Sequence, residues 1–162
     1  MEIIDSDFLA SLTAKAVSCE RKRTNYNFHT SPEEEIHRLV IAIEPGSYIR
    51  PHRHQTGDKK ELLVVLSGKL RVLTFTEEGA IAKAFTAGPG CDVLGYELDS
   101  QTFHSCVALE HGTTFLEVKK GPYLPIEGSD VAAWAPAEKT PLASAMVQWY
   151  LTALPGERFN GK

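Results

Sequence analysis

Cysteine is scarce in this chain of 162 residues: Cys19, Cys91 and Cys106 are odd in number, widely spaced and form no CxxC pair. A disulfide framework, a zinc knuckle and a thioredoxin-like site are thereby excluded, and the thiols read as small packed hydrophobes. A basic excess is also missing. Lysine and arginine total 17 against 21 acidic residues, and the one dense basic run is Arg21-Lys22-Arg23. That is too short to track a phosphate backbone, so no nucleic-acid partner is expected. No apolar run approaches the length of a membrane span. Glu2 and Asp5 stand where a signal peptide would carry positive charge, which predicts a cytoplasmic protein with no membrane partner. Repeats, low-complexity tracts and linkers are absent as well, so residues 1–162 read as a single domain. At 43% hydrophobic and 23% charged, the composition suits a globular fold with its own core.

The pattern predicts helices at the two ends and strands between them. Phe8, Leu9, Leu12 and Ala16 recur at helical spacing after the caps Asp5 or Ser6, giving a helix over roughly 6–17. Thr140-Pro141 opens a second helix whose stripe is Leu142, Met146, Trp149 and Ala153, stopped by Pro155-Gly156 and placed over roughly 141–154. A barrel is expected over roughly 36–120. Its strands are 36–43, 61–66, 70–75, 80–85, 92–98, 103–109 and 113–118, broken by turns such as Ser67-Gly68-Lys69. Short strands at such even spacing make an all-β sandwich or barrel.

His52 and His54 carry the clearest chemical signal. On a strand they share a face with Cα atoms roughly 6.6 Å apart, and two such imidazoles can converge on one metal. Glu61, at the next strand start, offers a carboxylate, and His104 on a later strand offers a third imidazole. Three nitrogens and one oxygen suit iron, manganese, nickel, cobalt or zinc better than calcium.

Gly46, His52, His54, Glu61 and Gly68 resemble the first cupin motif, although the gap between His54 and Glu61 is longer than usual. His104 fits the histidine of the second motif, with Ala108 where asparagine is usual. The run Arg21 to His29, the segment His37 to His54, Gly121-Pro122-Tyr123 and Trp134-Ala135-Pro136 look like the WbuC family of cupin-fold metalloproteins. Those proteins are often associated with bacterial O-antigen clusters. The resemblance implies a cupin double-stranded β-helix, or jelly-roll barrel, one divalent transition metal at His52, His54, Glu61 and His104, and a homodimer.

Strand parity then suggests what surrounds the metal. Tyr48 and Arg50 share parity with the two histidines, so Arg50 either holds an anionic group inside the barrel or bends out around Pro51. Arg38 faces the same choice on the preceding strand, alongside the small residues Val40 and Ala42. Asn25 and His29 belong either to a polar edge strand or to a segment folded over the barrel mouth. Tyr123 is either a proton donor or a packed aromatic. Cys106 shares parity with His104 and reads as a wall residue, while His37 and His111 are expected in solvent. Candidate catalytic residues are thus Tyr123 and His29, and candidate substrate contacts are Arg50, Arg38, Asn25 and Tyr48. The expected ligand is a small polar molecule, anionic if the arginines face it. Three functions fit: a metal-dependent isomerase or epimerase, for which the resemblance implies a sugar or nucleotide sugar as substrate, an iron-dependent dioxygenase, and a metal-containing binding protein without turnover.

Overall fold

The computed structural model describes residues 1–161. Eight strands follow in chain order: β1 Arg23–Asn27, β2 Ile36–Ile43, β3 Glu61–Ser67, β4 Leu70–Phe75, β5 Ile81–Ala87, β6 Gly95–Leu98, β7 Phe103–Ala108 and β8 Thr113–Lys120. Helix α1, Ser6–Ser18, precedes them, and helix α2, Pro141–Tyr150, follows. Asp5 caps α1 through the Phe8 amide, and Thr140 caps α2 through that of Ala143. Among the described residues no helix is long and apolar enough to cross a membrane.

The strands form two antiparallel sheets, ordered β1-β2-β8-β3-β6 and β5-β4-β7. Period-2 alternation sorts their side chains. Leu63 and Val65 of the larger sheet meet Leu70, Val72, Cys106 and Ala108 of the smaller one in a shared buried cluster. The opposite faces of β4 and β7 give Leu73, Phe75, Phe103 and Val107 to a second cluster, closed by Met146, Val147 and Tyr150 of α2. On β2 the small residues Val40 and Ala42 face outward and are covered by Leu12 and Ala16 of α1. Leu39 and Ile41 therefore point to the interior.

The β3–β4 turn requires its glycine. Gly68 has φ +66°, and a Cβ there would lie 2.3 Å from Thr113 Oγ1. Residues 44–54 form no strand apart from one bridge: His52 pairs with His104 on one side and with Val131 on the other. This irregular segment thus runs between β7 and the C-terminal excursion, at one end of the interior.

Candidate metal centre

His52, His54 and His104 each offer a ring nitrogen, and these atoms lie within 4.8 Å of one another. Two of the rings are oriented by backbone carbonyls. His52 Nδ1 lies 2.8 Å from Arg50 O and His104 Nδ1 lies 2.9 Å from Thr102 O. With each Nδ1–H donated, the Nε2 lone pairs are left for a ligand. Glu61 sits among them, with Oε1 2.9 Å from His54 Nε2 and Oε2 3.2 Å from His104 Nε2. His54 Nε2 is buried and makes no hydrogen bond despite that closeness.

Glu61 reaches this place through a folded loop. In the six residues 55–60, Asp58 N–H donates to Gln55 O and Lys59 N–H to His54 O. Lys59 Nζ donates to Pro122 O, Thr56 N–H to Asp130 Oδ2, and Ser100 Oγ to Asp58 Oδ1. The chain returns on itself, so the longer gap leaves Glu61 beside His54.

Electrostatics separate His52, Glu61 and His104. Burial, with His104 and His54 alongside, pushes His52 down to about 3, so it is neutral across the physiological range. Burial opposes ionisation of Glu61, but the His104 and His54 imidazoles and the Lys119 charge outweigh it and hold the carboxyl well below its usual range. Burial also disfavours charge on His104, yet contact with Glu61 raises its pKa. Lys119 Nζ lies 2.9 Å from Glu61 Oε1 and 2.7 Å from Glu117 Oε1. Burial pushes the Cys106 thiol up to about 12, which keeps it a neutral wall group.

Above these groups opens a cavity of about 640 Å³ that His52, Glu61 and His104 line together with Arg50, Asn25 and Tyr123. Arg50 points inward and not out around Pro51: Nη2 donates to Ala132 O at 3.0 Å, and Nε is buried with no partner. Asn25 is on an edge strand and also reaches the cavity, because its register partner Ile41 faces inward. Tyr123 stands at the opening and is 58% exposed.

The remaining expected contacts lie elsewhere. Tyr48 belongs to the core: Oη donates to Pro136 O at 2.9 Å and the ring stacks near Tyr150. Strand parity fails for it because its segment is not a strand. Arg38 is on the outer face and pairs with Glu34 at 2.8 Å, since the small-residue face of β2 is the one turned from the interior. His29 stacks on His37, ring centroids 4.1 Å apart, in a separate hollow of about 160 Å³ that Tyr123 also lines. His37 is buried, not in solvent, because it shares the inward parity of Leu39 and Ile41.

Glu117 and Lys119 were not anticipated. The signal was the parity of β8, where Thr113, Phe115, Glu117 and Lys119 alternate with Leu116 and Val118. Two charges near a strand end read as a solvated edge, and only the register with β3 turns them inward.

Solved structures share the architecture. A cupin 2 domain-containing protein from Halorhodospira halophila is 13% identical with a TM-score of 0.54, over 83% of this chain and 84% of that one. A variant of oxalate decarboxylase from Bacillus subtilis is 22% identical with a TM-score of 0.51, over 80% of this chain and 33% of that one. The chain thus spans about a third of that enzyme. KdgF from Halomonas sp. is 17% identical with a TM-score of 0.49, over 63% and 80% of the two chains. At these identities the likeness to the first two shows the fold alone, which is the cupin fold expected from the sequence. No curated protein matches the sequence. One family model does, over residues 4–87, a stretch that contains His52, His54 and Glu61 but ends before His104. The chain belongs to the family described as a domain of unknown function, DUF6016.

Proposed function

We propose that the chain holds one divalent transition metal through His52, His54, His104 and Glu61 and acts on a small anionic molecule bound in the cavity above them. One observation carries this reading: the buried Nε2 of His54, without a hydrogen bond, faces a carboxylate beside two imidazoles whose Nδ1 atoms are already committed. A buried polar atom left unpaired is costly, and a cation among three nitrogens and an oxygen satisfies all of them.

A bound divalent ion supplies Lewis acidity toward a carbonyl or hydroxyl oxygen. The chain's own residues do the rest. Arg50, with its unpartnered Nε, holds a carboxylate or phosphate. Asn25 contributes a hydrogen bond from the edge, and the Tyr123 phenol moves a proton at the opening. His29 lies in the neighbouring hollow and has no role in this reading.

The resemblance to the WbuC family favours a sugar or nucleotide sugar of surface-polysaccharide synthesis and an isomerisation or epimerisation. Such a step takes a proton from carbon and returns one, so no oxidant is consumed. The two open edges of the larger sheet, β1 and β6, favour a homodimer, which light scattering tests.

Elemental analysis of wild type beside His52→Ala tests the metal. Near-stoichiometric metal lost in the variant is expected; wild type that takes up none refutes the reading. Nucleotide sugars incubated in deuterated water then test the reaction. Metal-dependent mass gain is expected, and its absence across the panel removes the isomerase assignment.

A further inference from the structure

Glu61 and Lys119 are register partners on β3 and β8, so their side chains leave the same face of the sheet side by side. The next register pair on that same face is Leu63 and Glu117. Lys119 Nζ therefore bridges two carboxylates, Glu61 Oε1 at 2.9 Å and Glu117 Oε1 at 2.7 Å, whose side chains are 4% and 10% exposed. Carboxylates so deeply buried need a cationic partner, and the Lys119 ammonium touches both.

We propose that Lys119 is a positioning residue for the metal centre. It seats Glu61 between His54, 2.9 Å from Oε1, and His104, 3.2 Å from Oε2, which is where the carboxylate completes the donor set. The inference rests on the metal-binding reading above and adds a requirement of its own.

Charge and position pull in opposite directions here. A lysine beside a metal site repels the cation, so charge alone makes its removal tighten binding. Loss of a residue that orients a ligand weakens metal binding by about 10–100-fold. The sign of the effect therefore decides the role.

Cobalt(II) serves as the probe, with uptake measured by equilibrium dialysis and the visible cobalt bands recorded for wild type, K119M and K119R. In K119M the Kd is expected to rise about 10–100-fold and the bands to shift. K119R, which keeps the charge and reach, is expected to recover most of the affinity. Unchanged or tighter binding by folded K119M overturns the proposal. Should K119M fail to fold with two unpaired carboxylates, the double variant K119M/E117Q removes one of them. The same loss of affinity is expected there, and an unchanged Kd overturns the proposal equally. Wild type that binds no cobalt overturns the metal reading itself, an outcome distinct from the others.

Discussion

His52 and His104 exchange both of their backbone hydrogen bonds: His52 N–H donates to His104 O at 3.2 Å, and His104 N–H donates to His52 O at 2.9 Å. Their ring centroids are consequently 4.5 Å apart. Backbone pairing thus helps to place these two imidazoles. Stripping metal with a chelator is therefore expected to leave the far-ultraviolet circular dichroism unchanged while lowering Tm. Binding linkage sets the size of the recovery on adding metal back, about 2.7 kcal/mol at a hundredfold excess over Kd. Collapse of the β signal on chelation would show that the ion builds the site.

Tyr48→Phe separates a core role from a ligand role. The Tyr48 hydroxyl donates to Pro136 O and touches Met146 Sδ at 3.5 Å. Losing it is expected to cost about 1 kcal/mol in urea unfolding, with metal content unaltered. A drop in metal content without loss of stability would contradict this placement.

Gly68→Ala puts a methyl group against Thr113, at a backbone φ that side chains rarely adopt. A loss of about 1–3 kcal/mol is expected from the conformation alone, and more from the contact. Urea denaturation measures it. A variant as stable as wild type would mean that the β3–β4 turn can rearrange.

Acid sensitivity should trace in part to His37. Burial, and then the stacked His29 ring, hold its pKa below the ordinary 6.5, with Lys59 and Lys119 acting in the same direction and the Pro32 carbonyl against them. The unfolded chain thus takes up this proton at higher pH than the folded one. The contribution to stability is complete above pH 6.5 and is lost as pH falls through the folded value. Denaturation midpoints between pH 5 and 8 should fall less steeply in His37→Gln, which can still donate to Pro32 O. Parallel profiles for variant and wild type would assign the acid limb to other groups.

The regular strands were legible because turn residues and alternation agree there. Ile36–Ile43 and Leu70–Phe75 have the bounds that their flanking Pro45-Gly46 and Gly68 imply. The cluster was legible too, since His52, His54, Glu61 and His104 are few and chemically distinctive. Parity misled where its premise failed. Between Glu44 and His54 there is no strand, so Tyr48 left the expected face for the core while Arg50 stayed in the cavity. On β2 the choice of inner face turned on α1, whose Leu12 and Ala16 cover Val40 and Ala42. No local property of Arg38 or His37 records that helix. Glu117 and Lys119 were illegible for a related reason: charged residues go inside only when a partner such as Glu61 waits on the neighbouring strand.

The folded loop between His54 and Glu61 uncouples spelling from geometry. One end of it is set by the pairing of His52 with His104 and the other by that of Glu61 with Lys119, so added length closes on itself at small entropic expense. A search pattern that counts residues between the second histidine and the glutamate would pass over this chain. A pattern that asks for a carboxylate opening one strand, opposite a lysine near the end of its antiparallel neighbour, would collect it whatever the length of the loop.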